Sequence, residues 1–533
     1  MANIYSYVPY KETGYFSRLV TDYLSGHPDT RPFYDFTPDA SGIARAIGQR
    51  RNYPVDREVL VNTLKRQYSG LSHSEKTEEN IRLLSQQNTF TICTAHQPNL
   101  LTGYLYFIYK IIHAIKLAEE LSNLYPGNHF VPVYYMGSED NDIDELGTFR
   151  FRGDKFVWDG SGQSGAVGRM DTAGLKPLIN SLFKQFGPPG KNCDDLLEII
   201  TEAYAKQKTI GAATQYLVNA LFGRFGLVVL DPDDAEFKKS FVPVMEDELL
   251  NKASYPIITS QIEKLGEHYK IQAHPREINL FYLADQLRER IERNGEKWVV
   301  LNTAIEWTKN ELLKELNEHP ERFSPNVMLR GLYQETILPN AVFIGGGAEV
   351  AYWLQLKPLF EHYKVFYPAV HLRQSVMWVE NRETKLREKL DFSIKDIFRP
   401  EPDLQKYFVA NHAAADWQTG IELQAIESVF STLKAKASAA DSTLGPAAEA
   451  VITKMRYQLQ LLEKKMLRAE KKKMQVQMDR ITSLKNALFP AGGLQERIEN
   501  FMDYWLIHGC NFIDTLKNGM HPLEPQFMIV ESE

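Results

Sequence analysis

Three polar segments, each directly after an apolar run, carry side chains that could bind or activate a ligand. The first spans positions 94–103 (TAHQPNLLTG) and precedes a helical pattern. We predict a catalytic role for His96 and contacts to substrate or nucleotide for Gln97, Asn99, Thr102 and Gly103. Unpaired backbone N–H groups at a helix start favour anions, so this segment could hold a phosphate or a carboxylate. Asn99 or Thr102 could equally cap the helix while His96 lies at the surface, and the residue types leave both interpretations open.

The second segment is acidic and spans positions 137–145 (GSEDNDIDE). Its carboxylates are Glu139, Asp140, Asp142, Asp144 and Glu145. Such a density could bind a divalent cation such as Mg²⁺ or receive the proton of a substrate ammonium group, although the spacing is not that of an EF-hand loop. An acidic helix start capped by Ser138 is the structural alternative. We predict catalytic roles for Glu139 and Asp140, substrate contacts for Ser138 and Asp142, and structural roles for Asp144 and Glu145.

The third segment places three glycines between a β-rich run and a helical pattern (IGGGAEVAYW, positions 344–353). Its candidate ligand-binding residues are Gly345, Gly346, Gly347, Glu349, Tyr352 and Trp353. Glycines let a backbone approach a ligand closely and present N–H groups to it. The segment lacks the Gly-Lys-Ser/Thr of a P-loop and the full dinucleotide fingerprint, and a glycine run is also a common turn.

Four flanking residues complete the predicted site. Asn326 and Arg330 lie upstream at a spacing that could place them on one helical face, and Arg373 and Ser375 lie downstream. Arg373 could clamp an anion through its planar guanidinium, or it could pair with a structural carboxylate.

A parallel sheet is the element that must position these segments. The β-rich run Thr89–Thr94, an amphipathic helical pattern with Leu101, Leu105, Ile108, Ile112 and Ile115 on one face, and the apolar run Phe130–Met136 predict a strand, a helix and a strand, with Pro132 at an edge or a bulge. Leu227–Leu230 and Ala341–Ile344 predict further parallel strands. The expected fold class is α/β, with a Rossmann-like parallel sheet and ligands at the carboxyl ends of its strands.

The remaining segments suggest four parts. Residues 1–88 predict a helical lead-in, and residues 89–384 predict the core with two helical insertions at about 146–226 and 235–340. Residues 385–490 predict an antiparallel coiled-coil hairpin that turns at Gly445–Pro446, and residues 491–533 a segment packed on the core. The second helix of the hairpin carries a seam in alternating steps of three and four, interrupted at Lys473: Ile452, Met455, Leu459, Leu462, Met466, Ala469 and Val476.

Composition excludes several classes of protein. Hydrophobic residues at 44% and charged residues at 24% are ordinary for a globular protein. A net charge of −7 argues against binding nucleic acid through its phosphates. The three cysteines, Cys93, Cys193 and Cys510, are dispersed, and no apolar run is long enough to span a membrane. We therefore expect a cytoplasmic protein with no membrane partner.

Several of these motifs, in this order along the chain, resemble the cysteine-adding enzyme family of bacillithiol biosynthesis. The stretches that carry the resemblance are Ala95–Gly103, Tyr106–Lys110, Ser138–Asp142, Phe323–Arg330, Ile344–Trp353, Glu463–Glu470 and Leu494–Asn500. The resemblance implies a Rossmann-fold core with two connecting-peptide insertions, a coiled-coil domain that mediates homodimerisation, and a distant likeness to class I aminoacyl-tRNA synthetases. It also implies a ligase that adds L-cysteine to glucosaminyl malate to form bacillithiol.

Amide formation requires an activated carboxyl group and a neutral amine, and a nucleotide such as ATP is the usual activator. We expect the segments around His96 and the three glycines to hold nucleotide phosphates with help from Arg373. Glu139 or Asp140 would bind a metal ion or receive the proton of the acceptor ammonium group. The alternatives are a dimeric coiled-coil protein that binds a ligand or assembles without catalysis, and a tRNA-modifying enzyme, which the acidic balance disfavours.

Overall fold

The computed structural model describes residues 3–413 and 417–532. The chain divides into two compact units. The larger contains Tyr5–Met377 and Leu494–Val530, and the smaller contains Trp378–Gly493 together with a few residues from both ends of the chain. Each unit is described separately below.

The elements are numbered in chain order. The strands are β1 Ile4–Pro9, β2 Thr89–His96, β3 His129–Met136, β4 Thr148–Phe151, β5 Asp154–Val157, β6 Val228–Leu230, β7 Leu280–Ala284, β8 Leu287–Asn294, β9 Lys297–Val300, β10 Glu306–Trp307, β11 Phe323–Pro325, β12 Asn340–Gly345, β13 Ala369–Leu372, β14 Val376–Val379 and β15 Gln526–Glu531. The helices of the first half are α1 Tyr10–Thr13, α2 Arg18–Leu24, α3 Ala40–Arg50, α4 Arg57–Gln67, α5 Glu75–Leu83, α6 Leu105–Leu124, α7 Ile143–Leu146, α8 Lys176–Phe183, α9 Lys191–Thr201, α10 Ile210–Phe222, α11 Ala235–Lys239, α12 Val242–Asn251 and α13 Ser254–Gly266. Those of the second half are α14 Lys309–Glu318, α15 Val327–Ile337, α16 Gly347–Trp353, α17 Lys357–Tyr363, α18 Asn381–Lys389, α19 Glu401–His412, α20 Gly420–Ala440, α21 Leu444–Lys473, α22 Gln475–Leu488, α23 Phe501–His508 and α24 Asn511–Gly519. None of the helices described combines the length and the apolar character needed to cross a bilayer.

A five-stranded parallel sheet forms the centre of the larger unit, in the order β13-β12-β2-β3-β6. The predicted strand, helix and strand are β2, α6 and β3, and the Rossmann-like α/β fold is confirmed. From β2 the chain builds outward through β3 and β6 on one side, and it later returns to add β12 and β13 on the other. β2 and β12 therefore flank the topological switch point, where ligands of such sheets bind.

β3 tolerates Pro132 for a local reason. Pro132 pairs with Ile92 of β2 in unbroken register, so the strand is internal and carries no bulge there, unlike the sequence-based expectation. The short β6 covers only Val133–Tyr135. The first half of β3 thus keeps one open edge, where a missing N–H costs no ladder bond.

α6 fills the space beneath the sheet and begins later than the sequence pattern predicts. Almost every residue from Leu105 to Leu121 is buried, and Ala114, Leu117 and Leu121 pack into a core with Phe90 and Ile344. Leu101, which the pattern placed on this helix, lies instead in the preceding loop with a φ of 50°. The chain therefore makes a non-helical connection between β2 and α6.

The insertions contain β structure as well as helices. β4 and β5 form a hairpin in the first insertion. The second contains all five strands of an antiparallel sheet of order β10-β9-β8-β7-β11 beside helices α12 to α15. Elsewhere in the larger unit, β15 lies beside β1, and the Tyr7 hydroxyl donates to the carbonyl of Gly519 at 2.7 Å.

The smaller unit contains the long hairpin of α20 and α21. Its turn lies at Asp441–Thr443, a few residues before the predicted Gly445–Pro446, because Pro446 is accepted in the first turn of α21, where no intrahelical acceptor is needed. α21 ends at Lys473, and Met474 has a non-helical conformation before α22. The break coincides with the interruption of the apolar seam.

Candidate active site at the carboxyl ends of the sheet

The predicted polar segments meet at one edge of the parallel sheet. His96 ends β2, Gly137 follows β3, Gly345 ends β12, and Arg373 follows β13. Two backbone hydrogen bonds join neighbouring segments: the Gly137 N–H donates to the carbonyl of His96 at 2.7 Å, and the Arg373 N–H donates to that of Gly345 at 2.8 Å. The segments at His96, Gly137, Gly345 and Arg373 therefore lie at a single rim of the sheet.

His96 is a neutral imidazole with a fixed orientation. Its ring stacks on Tyr106, with centroids 5.2 Å apart and planes 6° from parallel, and its Nδ1 accepts the N–H of Gln97 at 2.7 Å. Burial, followed by the positive charge of Lys110, holds the pKa of His96 well below its usual range. Since Nδ1 is an acceptor, Nε2 carries the proton and is a neutral donor.

The loop between β2 and α6 is strained and held from outside. Leu101, Thr102 and Gly103 all have positive φ, which costs roughly 1–2 kcal/mol at each of the two non-glycine positions. The Leu101 N–H donates to Tyr204 Oη at 2.9 Å. The Asn500 amide donates to the carbonyls of Leu101 and Gly103 at 2.9 and 2.6 Å.

Asn99 and Thr102 do not cap α6, contrary to the capping alternative. α6 begins at Leu105, and its N-cap residue Tyr104 makes no side-chain capping bond. Both amide atoms of Asn99 and the hydroxyl of Thr102 are buried without a hydrogen-bond partner among the described residues. Buried polar groups are rarely left so, which makes these three atoms candidates for contact with a ligand or water.

Asp140 lies among arginines. The Gln97 amide donates to Asp140 Oδ2 at 3.2 Å, and Arg330 Nη1 lies 3.6 Å from the same oxygen. Arg288 donates to the neighbouring Asn141 Oδ1 at 2.9 Å. Burial would raise the pKa of Asp140, but the charges of Arg330 and Arg288 outweigh it and hold the pKa below its usual value. Asp140 is therefore an ionised carboxylate beside two cations.

Glu139 is committed to a different partner. It forms an ion pair with Lys238, and both side chains are fully buried. Lys238 also donates to the carbonyl of Phe323 at 2.8 Å. This buried pair gives Glu139 a structural role, so of the two predicted catalytic carboxylates only Asp140 faces the rim with part of its surface exposed.

Ser138 binds an acid that the sequence-based site omitted. Its hydroxyl donates to Asp231 Oδ1 at 2.5 Å, directly after β6. Burial and the nearby Asp233 raise the pKa of Asp231 to about 7. Gly168 packs against Ser138 so closely that a Cβ would lie 2.6 Å from the serine Cβ, which encloses this contact.

Glu349 occupies the glycine turn. Its Oε2 accepts the Gly346 N–H at 2.7 Å and pairs with Lys110, which also donates to the carbonyl of Ala95 at 2.9 Å. The turn therefore binds its own carboxylate, and Lys110 links it to β2. Burial, opposed by Glu349, lowers the pKa of Lys110.

Tyr352 and Trp353, one turn later, differ in position. Tyr352 is half-buried, and burial followed by the charge of Glu349 raises its pKa. Trp353 is buried in the core and stacks on Phe343 with centroids 4.4 Å apart. We leave Trp353 out of the site because its ring is enclosed by protein.

Of the two alternatives that the sequence left open for Arg373, an anion clamp or a pair with a structural carboxylate, the structure shows the second. It makes a bidentate ion pair with Glu496, at 2.8 and 2.7 Å, and both side chains are buried. Ser375 joins the pair by donating to Glu496 Oε1 at 3.2 Å. The Nε of Arg373 is buried without a partner among the described residues, and a Cβ on Gly346 would lie 3.7 Å from it.

Asn326 and Asp142 have structural roles. Asn326 caps α15 by accepting the Met328 N–H at 2.8 Å. Asp142 is exposed and caps the short α7 by accepting the Glu145 N–H at 3.2 Å. Arg330, one turn after Asn326, is the residue of α15 that reaches the rim.

The carboxylates of the rim do not fit a resident metal ion. Glu139 and Asp140 already face cationic side chains, and in the described part of the chain no cluster of three histidines, cysteines or acids has the geometry of a metal site. The donors fit an anionic group better. The hydrogen-bond donors available at the rim are the Nε2–H of His96 and the guanidinium groups of Arg330 and Arg288.

Sequence reasoning missed Lys110, Asp231, Arg288 and Glu496. Asp231 carried a detectable signal, since it directly follows a β-rich run like the chosen segments. Arg288 lies in β8 of the antiparallel sheet, where no local pattern marks it. Lys110 and Glu496 lie in stretches that carried the family resemblance, but nothing there assigned them to the site.

Two family profiles together cover almost all of the chain. Residues 4–374 match the profile described as "Bacillithiol biosynthesis BshC, N-terminal Rossmann-like domain". Residues 376–532 match "Bacillithiol biosynthesis BshC, C-terminal coiled-coil domain".

Similar full-length proteins carry the name "Putative cysteine ligase BshC". One from Flavobacterium johnsoniae is 39% identical over 525 residues, which are 98% of this chain and 99% of the relative. One from Christiangramia forsetii is 39% identical over 530 residues, 98% of both chains. One from Cytophaga hutchinsonii is 37% identical over 508 residues, 95% of both chains.

Proposed function

This chain belongs to the bacillithiol biosynthesis BshC family, and we propose that it is the ligase that joins the carboxyl group of L-cysteine to the amino group of glucosaminyl malate. Relatives that are similar to this chain over nearly their full length are named as cysteine ligases. This supports a ligase and does not favour the non-catalytic alternative. The observation that carries the site is the grouping of Asp140, Arg330 and Arg288 beside a neutral His96 at the switch point of the sheet.

Arg330 and Arg288 suit the malate part of the acceptor. They supply two positive charges around the single carboxylate of Asp140, while Glu139 is neutralised by Lys238. Burial, followed by the charge of Arg330, lowers the pKa of Arg288 to about 10. One malate carboxylate would balance this excess of one positive charge, and the second would be balanced by the substrate ammonium group that Asp140 holds.

Asp140 suits a substrate amine. Its depressed pKa makes it a weak proton acceptor but a constant negative charge at neutral pH, so it would hold and orient an ammonium group of cysteine or of the acceptor. Its side chain is partly exposed, whereas that of Glu139 is fully enclosed. We therefore assign the amine contact to Asp140 and a supporting role to Glu139.

The donors around His96 fit a nucleotide phosphate or the carboxyl oxygen of cysteine. His96 would donate from Nε2 without carrying a charge, and Asn99 and Thr102 offer further buried polar atoms if the strained loop rearranges. A bound nucleoside triphosphate would supply the activation of the carboxyl group. The rim residues would bind, orient and exclude water.

The direct test is to incubate the purified chain with L-cysteine, glucosaminyl malate and one of several nucleoside triphosphates, and to detect the amide product by mass spectrometry. Asp140→Asn should lose at least about tenfold in activity, since one charge-assisted contact is worth 1.4 kcal/mol or more. Asp142→Asn, which keeps an exposed helix cap, is the matched control. Product formation by Asp140→Asn at the native rate would contradict the assignment.

We also propose that the hairpin of α20 and α21 forms a homodimer interface. Val429, Leu433 and Leu462 are 60%, 47% and 49% exposed, which is unusual for residues of an apolar seam. A second copy of the chain would cover them. The cytoplasmic location stays a prediction from the sequence.

A further inference from the structure

A second cation-lined cavity lies at the opposite end of the central sheet from the candidate active site. Its volume is about 220 Å³, and its walls include Arg50, Arg51, Arg57, Gln87, Phe90 and Pro339. Phe90 is near the start of β2, and Pro339 directly precedes β12, so the cavity borders the amino ends of the two switch-point strands. Its wall carries three arginines and no acidic residue.

The three arginines lack carboxylate partners. Arg50 donates to the carbonyls of Tyr53 and Leu338, both at 2.7 Å. Arg57 donates to those of Leu84 and Thr89 at 2.8 and 2.9 Å, and Arg51 donates to Asn128 Oδ1 at 2.6 Å. Among the residues that the structure describes, none of the three forms a salt bridge within 4.0 Å. Each guanidinium has five N–H donors, so more than half of these donors remain available.

Arg50 is the deepest of the three. It is only 3% exposed, and its Nε is buried without a hydrogen-bond partner in the described part of the chain. Burial and the charge of Arg57 lower its pKa to about 10, although Glu335 opposes this. Glu335 is itself buried, and its pKa is raised to about 8, so at neutral pH it is mostly protonated and compensates little.

We propose that this cavity binds one small dianionic oxyanion, an inorganic phosphate or a short dicarboxylate. Guanidinium groups match the geometry of both, and an anion would relieve the repulsion between Arg50 and Arg57. The cavity is smaller than the range typical of drug-sized ligands, which excludes a whole nucleotide. The competing explanation is that the arginines only cap backbone carbonyls and need no ligand.

Isothermal titration calorimetry of the full chain with phosphate and, separately, with malate tests the proposal, with chloride at equal ionic strength as the reference. Arg51→Gln and Arg57→Gln should each weaken binding of the preferred anion by about tenfold. Arg51 is exposed, so its variant should fold normally. The matched control is Arg45→Gln, on helix α3, whose end directly precedes Arg51, but bonded to Ser41 and Thr37 away from the cavity.

A second measurement distinguishes binding in this cavity from anion binding at the candidate active site. Crystals soaked in selenate should show an anomalous peak between Arg50, Arg51 and Arg57 that is absent in Arg51→Gln crystals. A phosphate preference identifies the tetrahedral ligand, and a malate preference identifies the dicarboxylate. Equal binding by Arg51→Gln, Arg57→Gln and the native chain, or no anomalous peak, would overturn the proposal, whatever the ligase assay gives.

Discussion

Arg373 and Glu496 form a bidentate ion pair across 123 residues of sequence, with N–O distances of 2.8 and 2.7 Å and both side chains buried. Removing one partner should leave an uncompensated buried charge. Glu496→Ala should lower the free energy of unfolding by about 3–5 kcal/mol, measured by urea denaturation. The double variant Arg373→Met/Glu496→Leu should recover most of that loss. A Glu496→Ala chain as stable as the native one would indicate that Arg373 readily finds another partner, such as a ligand.

Glu139 and Asp140 should respond differently to substitution although they are adjacent. Glu139→Gln removes the charge that balances Lys238 and should cost about 3–5 kcal/mol in the free energy of unfolding. Asp140→Asn should change stability by no more than about 1 kcal/mol, because the side chains of Asp140 and Arg330 are 19% and 21% exposed, while activity falls. Denaturation and product assays on both variants check this. The reverse pattern would return Glu139 to the list of catalytic candidates.

Asp231 should make stability depend on pH. Its pKa is raised from 3.8 to about 7, so the folded state binds this proton more tightly than the unfolded state. The stabilisation is complete below about pH 4 and is lost as the pH rises through about 7. Asp231→Asn should remove this dependence. Between about pH 4 and about pH 8, the free energy of unfolding of the variant should rise relative to that of the native chain by up to about 4 kcal/mol.

Unfolding curves at several pH values measure this effect. Asp142→Asn is the control, since Asp142 is exposed and asparagine caps helices equally well. Parallel pH profiles for the native chain and Asp231→Asn would mean that Asp231 is already ionised in the fold.

His96 should stay neutral throughout the physiological range. Its pKa lies well below the usual value, so its imidazole resonances should not titrate between about pH 6 and about pH 8 in an NMR experiment on histidine-labelled protein. His96→Phe should keep the stack on Tyr106 but lose the Nε2 donor, and activity should fall at least about tenfold. A histidine that titrates near pH 6.5 and disappears in His96→Phe would contradict this.

The hairpin should control the number of subunits. Leu433→Glu combined with Leu462→Glu places charge on the exposed seam and should convert the dimer into a monomer in multi-angle light scattering, with the circular dichroism spectrum unchanged. Lys436→Glu, at an exposed polar position of α20, is the control. A native chain that is already monomeric would refute the dimer proposal.

The sequence predicted the elements of the fold better than the partners within the site. β2, α6, β3 and the glycine turn follow from local apolar patterns and short polar segments, and they lie at one edge of the sheet as expected. The capping role offered for Asn99 was wrong because three consecutive positive φ values delay α6 until Leu105. Tyr204 and Asn500 hold the loop in this conformation by hydrogen bonds, and no local pattern connects them to the loop.

The partners of the buried charged residues also could not be identified from the sequence. Lys238 pairs with Glu139 across 99 residues, and Glu496 pairs with Arg373 across 123. Each assignment depended on whether a side chain is free or paired, which only the folded chain decides. The interruption of the seam at Lys473 was a local signal, and it does coincide with the helix break at Met474.

The position of β15 beside β1 has a consequence for synthesis of the chain. The carbonyl that Tyr7 binds lies 512 residues further along. At a ribosomal rate of about 5–20 residues per second, β1 must wait roughly 25 to 100 seconds for its neighbouring strand. During that time its edge is open to other strands, so newly made protein should be more prone to aggregate than refolded full-length chains.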